Sequence, residues 1–171
     1  MSRPTREQLL SFFVQIDENK NGWMDSHELQ NALSMSSLNF SLTVTAQMIR
    51  VYGKAREGCI TQDEFINLFT AVQNDIDAFK AFDTQGRGKL RLDQVRQGIQ
   101  AKGYQLDDTA FYTCCKSFDP DRTGDIGIPE YIALNLFLLS ARNTFAAFDF
   151  QRTGVINLNF GQFIYASANC R

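Results

Sequence analysis

Near the start of the chain, six residues offer oxygens at a spacing that suits one hard cation. Asp17, Asn19 and Asn21 alternate, Trp23 offers its carbonyl, Asp25 follows, and Glu28 closes the set. These are positions 1, 3, 5, 7, 9 and 12 of a twelve-residue calcium loop. In such a loop the ninth position acts through water, the last carboxylate is bidentate, and a glycine at the sixth permits the sharp turn. Gly22 stands at that sixth position. A second run repeats the arrangement: Asp119, Asp121, Thr123, the carbonyl of Asp125, and Glu130, with Gly124 at the sixth position. Gly127 at its ninth position leaves that place to water. The expected cofactor is Ca2+.

Stepping outward from these loops exposes a repeat that spans the chain. Loops at 17–28, 53–64, 83–94, 119–130 and 149–160 share a glycine at the sixth position and an aliphatic residue at the eighth (Met24, Ile60, Leu90, Ile126, Ile156). Apolar pairs three apart precede them, such as Phe13 with Ile16 and Phe79 with Phe82, as on one helix face. The expected fold is therefore all-α: one domain over 1–171 of five EF-hand helix–loop–helix units. Residues 65–82 and 131–148 contain no glycine or proline and read as long helices joining one loop to the next. Breaks are expected at Ser34–Thr43 and Gly98–Asp108. Loops one and two then pair, as do three and four, and loop five has no partner within the chain.

Three loops lack a full ligand set. Loop two has Gly53 and Ala55 at positions 1 and 3, and its Thr61-x-x-Glu64 reads as a helix capping box. Loop three keeps Asp83 but carries Gln85, Arg87 and Gln94. Its basic residues should repel a divalent ion and stand in for it, with Arg87 or Lys89 near Asp83. Loop five has Asp149, Gln151 and Thr153 but ends in Phe160, which allows weak binding at most.

Other chemistries find little support. The net charge of −2 and the lack of a basic cluster argue against nucleic acid. A single histidine, His27, excludes a histidine-based zinc cluster, and no catalytic constellation appears, so enzyme activity is not expected. The four cysteines, at 59, 114, 115 and 170, form no disulfide framework. The start has no signal-peptide pattern, Ser2 argues against myristoylation, and Asn169-Cys170-Arg171 is not a prenylation box. The expected location is the cytoplasm.

Five such units with an unpaired fifth resemble the penta-EF-hand family over nearly the whole chain. The Asp17 that opens loop one resembles the group of the apoptosis-linked gene two protein and peflin. The resemblance implies about eight helices with short β-bridges between paired loops, dimerisation through the fifth hand, and calcium-dependent exposure of apolar surface for peptide segments of partner proteins. Those relatives rely on an intact third loop, which this chain lacks, so their partner motifs do not transfer.

The fifth segment is itself strongly apolar: Phe148, Val155, Ile156, Phe160, Phe163 and Ile164 are the expected interface of a homodimer or heterodimer. The leading expectation is a calcium sensor and adaptor, with peripheral membrane recruitment through its partners. The alternatives are a regulatory subunit of a calpain-like protease and a calcium buffer.

Overall fold

A computed structural model describes residues 3–170; the expectations placed on Ser2 and Arg171 lie outside the described residues. Among the described residues eight helices and one small sheet follow in order: α1 (Arg6–Ile16), α2 (Ser26–Met35), α3 (Leu42–Tyr52), α4 (Gln62–Phe82), β1 (Lys89–Arg91), α5 (Leu92–Ala101), α6 (Asp108–Ser117), β2 (Asp125–Gly127), α7 (Ile128–Phe148) and α8 (Phe160–Asn169).

Local signals explain where helices begin. Thr5 accepts from the Gln8 amide while the Gln8 side chain accepts from the Thr5 N–H, closing a capping box in front of α1. Asp25 with Glu28 does the same for α2, and Thr61 with Glu64 for α4. Pro129 sits in the first turn of α7, where its missing N–H has no intrahelical partner to lose. The two long helices are each 21 residues, as the unbroken sequence runs require.

The expected break at Gly98 is displaced, because α5 continues to Ala101. Gly98 is there for packing. A Cβ at this position would lie 2.4 Å from the Tyr131 hydroxyl, so only glycine admits the ring of α7. Ser34 likewise remains inside α2.

The loops pair back to back as expected. Met24 and Ile60 form an antiparallel bridge with N···O distances of 2.9 Å in both directions. Leu90 pairs with Ile126 at the centre of the β1–β2 sheet. Each pair sits over its own core. Phe13, Leu29, Phe65 and Leu68 anchor the first, and Phe79, Leu90, Phe111 and Ile126 the second. Helix α7 is wedged between them, giving Ile132 and Leu136 to the first core and Tyr131, Leu134 and Leu138 to the second. This is why its sequence is apolar on every side rather than striped.

The fifth unit differs. No residue of α8 is buried, and its loop has no strand partner among the described residues. It is held by a few contacts: the Gln47 side chain donates to the Cys170 carbonyl and the Ser140 hydroxyl to the Asn169 carbonyl, both at 2.7 Å. Phe148 meets Tyr165 edge-on at 6.3 Å.

Candidate metal centre

Loops one, three, four and five share one backbone path. Their fourth residues (Lys20, Gly86, Arg122, Arg152) and sixth residues (Gly22, Gly88, Gly124, Gly154) all have positive φ. The path turns the N–H groups of the fifth and sixth residues toward the carboxylate of the first. Loop two departs from it, since only Gly58 has positive φ.

In loop one, Asp17 accepts from Asn21 and Gly22 at 3.1 and 2.8 Å. The Asn19 oxygen accepts from the Asn21 N–H at 3.0 Å, and the Asn21 oxygen from the Trp23 N–H at 2.7 Å. Glu28 folds back over the loop. One of its oxygens accepts from the Asp25 N–H at 3.1 Å and the other from the Asn19 side chain at 3.3 Å. Positions 3 and 12 are thus already in contact. Asp25 also caps α2, accepting from His27 and Glu28.

Loop four is laid out alike. Asp119 accepts from Thr123 and Gly124 at 3.1 and 2.8 Å. The Gly124 amide contributes most to holding the Asp119 carboxyl below its ordinary range, against the opposing effect of burial. The Thr123 hydroxyl lies 3.4 Å from Asp121 and 3.3 Å from the Asp125 carbonyl. Gly127 makes room for position 12, because a Cβ there would sit 2.6 Å from a Glu130 carboxylate oxygen.

These carboxylates suit a cation. Asp17, Glu28 and Asp119 are buried. Among the described residues no lysine or arginine pairs with them, or with Asp121 or Glu130, whereas Asp63, Asp75, Asp77, Asp108 and Asp125 each have a basic partner. Buried negative charge without a counter-charge is costly, and a divalent ion removes that cost. Among the described residues no three His, Cys, Asp or Glu side chains converge on one point. The donor set of each loop is mixed instead, drawing on amide, hydroxyl and carbonyl oxygens, as hard Ca2+ accepts.

Loops two and three are closed by their own side chains. In loop two, Glu64 accepts from the backbone of Lys54, Ala55 and Thr61 at 2.6, 3.0 and 2.9 Å. Burial pushes its carboxyl up, but these amides and the Thr61 hydroxyl outweigh that and leave it below its ordinary value. In loop three the Gln94 amide donates to the Phe82 carbonyl at 2.7 Å while its oxygen accepts from Arg91 at 2.9 Å.

The expectation that Arg87 or Lys89 neutralises Asp83 is corrected here. Asp83 is satisfied by the backbone N–H groups of Arg87 and Gly88, and the Arg87 guanidinium crosses to Asp125 of loop four at 2.6 Å. The register of the paired loops sets Arg91, not Arg87, opposite Asp125, so the sequence held no position-specific signal for this crossing. Loop five repeats the geometry of loop four around Asp149, Thr153 and Gly154, but Phe160 stands 79% exposed at position 12.

Two features outside the loops were not legible in advance. Lys102 pairs with Asp75 across a cleft lined by Tyr52, Val72, Tyr104, Asn135 and Arg142. Burial pushes the Cys115 thiol up to about 11, with the neighbouring Cys114 and Asp119 adding to it, so it is no thiolate ligand or nucleophile at neutral pH.

Paired helix–loop–helix units turning on a sixth-position glycine define a calcium-binding EF-hand protein. The description EF-hand domain pair matches residues 73–134, the second pair. Sorcin from Homo sapiens is 24% identical over 165 residues, which are 94% of this chain and 82% of that protein. Cell division control protein 31 from Schizosaccharomyces pombe is 25% identical over 136 residues, 75% of this chain and 77% of that one. A solved structure of a homolog of programmed cell death 6 protein from Leishmania major Friedlin is 32% identical. It superposes with a TM-score of 0.70, covering 97% of this chain and 95% of that one. The chain belongs to the EF-hand family of calcium-binding proteins, and its five units place it among the penta-EF-hand members.

Proposed function

We propose that this protein is a calcium-responsive adaptor that works as a dimer, with loops one and four as its calcium sites. The observation that carries the reading is the state of the fifth hand. Val155, Phe160, Phe163 and Ile164 are 69%, 79%, 56% and 50% exposed, all on one short loop and helix. Phe163 joins Phe145, Phe148, Ile156 and Leu158 in lining a groove of about 590 Å³. Apolar area of that kind, gathered in one place, marks an interface.

The occupant is a second copy of the same chain. Every other loop pairs through its eighth residue, and the unpaired Ile156 completes the pattern if it meets its own counterpart about a two-fold axis. Phe148, half-buried against Tyr165, forms the floor of that interface. The Asp17 opening of loop one supports placement near the apoptosis-linked gene two protein and peflin. Partners would be captured as peptide segments on apolar surface that calcium exposes, which would also bring the protein to membranes from the cytoplasm.

Light scattering after size exclusion tests the dimer. The wild type at micromolar concentration should run as a dimer, and Phe163→Glu as a monomer that still binds calcium. A wild-type monomer with and without calcium overturns the homodimer, leaving the surface to a related chain or a partner peptide. Hydrophobic-dye fluorescence tests the sensor: a rise on adding calcium is expected, and an unchanged signal marks a buffer.

A further inference from the structure

We propose that Arg87, in the ion-free third loop, acts as a resident cation that lowers the calcium affinity of the fourth. The proposal rests on the reading of loop four as a calcium site.

Arg87 occupies the fifth position of loop three, where a calcium loop would offer an oxygen. Its guanidinium instead donates to the Asp125 carboxylate at 2.6 Å. Asp125 is the seventh residue of loop four, and that position serves an ion through its backbone carbonyl. Its side chain is therefore free to be held from outside without removing a ligand. Backbone pairing sets Arg91 opposite Asp125 and Lys89 opposite Gly127 in the β1–β2 sheet, and Arg87 reaches Asp125 from the turn just ahead of β1. Loop three thus presents a basic edge to the loop whose Asp119, Asp121 and Glu130 would face the ion. The ion pair cancels the negative charge that Asp125 would otherwise set beside a site for a divalent cation, which weakens the attraction. The Asp125 side chain is only 23% exposed, so water screens this incompletely.

The first pair is built differently. Arg56 of loop two lies 5.5 Å over the ring of Trp23, the seventh residue of loop one. Arg56 is the fourth residue of its loop and pairs with no carboxylate among the described residues, so the first pair lacks this ion pair.

Calorimetric calcium titration of the whole protein, carrying Arg87→Gln or Arg87→Lys, tests this. Arg87→Gln should tighten loop four about two- to fivefold at low salt, and raising the salt toward 1 M should shrink the gain as the screening length shortens. Arg87→Lys, which keeps the charge, should stay within about twofold of wild type. Unchanged affinity in Arg87→Gln overturns the proposal, and weakened affinity assigns Arg87 a purely structural role. Glu130→Ala separates the two readings. If it removes a site whose affinity ignores Arg87, only this inference fails; if it removes none, loop four is not a calcium site and both fail.

Discussion

Loops one and two are joined through one bridge, Met24 to Ile60, and each ends in a glutamate that caps the helix behind it. What each glutamate meets is different. Glu28 turns one oxygen to the backbone and the other to the Asn19 side chain, a group that can present its own oxygen to an ion. Glu64 turns one oxygen to Thr61 and the other to the Lys54 and Ala55 amides, which can offer nothing to a cation. The glutamate at position 12 does not by itself make a calcium loop. The side chains at positions 1 and 3 decide whether its free oxygen faces ligands or is consumed by backbone.

The widest separation of the two loops should come from deleting each glutamate. Glu28→Ala should abolish calcium binding at loop one, read as loss of the calcium response of Trp23 fluorescence, since Trp23 is the only tryptophan. Glu64→Ala should leave that response in place. Grafting comes next. Gly53→Asp with Ala55→Asn restores ligand types to loop two but should create no site. A Cβ at Gly53 would lie 2.7 Å from the Cys59 carbonyl and 2.8 Å from that of Ile49. Crowding against backbone should destabilise the first pair by about 1–3 kcal/mol, read by thermal unfolding.

Glu64→Gln is gentler. It keeps the shape but exchanges one accepting oxygen for a donor, and should cost about 1 kcal/mol. The carboxyl of Glu64 lies below its ordinary value in the folded chain. Its contribution is therefore fully present above the unfolded value and lost as pH falls through the folded one. Amide exchange at Lys54 and Ala55 should accelerate over that acid window in wild type, and at all pH values in Glu64→Gln. The smallest effect is expected in loop three. Gln94→Glu removes the donation to the Phe82 carbonyl and should cost under about 1 kcal/mol, without adding a calcium site, because Gln85 and Arg87 remain.

Much of this was legible in the sequence because the repeat is periodic. The five sixth-position glycines and eighth-position aliphatics announced the loops, their pairing and the two long helices. The missing side-chain oxygens of loop two were legible as Gly53 and Ala55. The clamp by Glu64 was not, since it depends on backbone amides that any sequence carries. Arg87 was misread for a related reason. Within its own loop Asp83 is the obvious partner, but backbone N–H groups reach Asp83 first, and pairing places Asp125 within reach of the guanidinium. Gly98 read as a helix break because its packing partner, Tyr131, lies in another helix.

The account turns on two of the five loops holding calcium, and the calorimetric stoichiometry of wild type, Glu28→Ala and Glu130→Ala measures this directly. Two sites per chain in wild type and one in each variant, with the Trp23 signal lost only in Glu28→Ala, is the predicted result. Three or more sites in wild type, or two retained after Glu130→Ala, would contradict it.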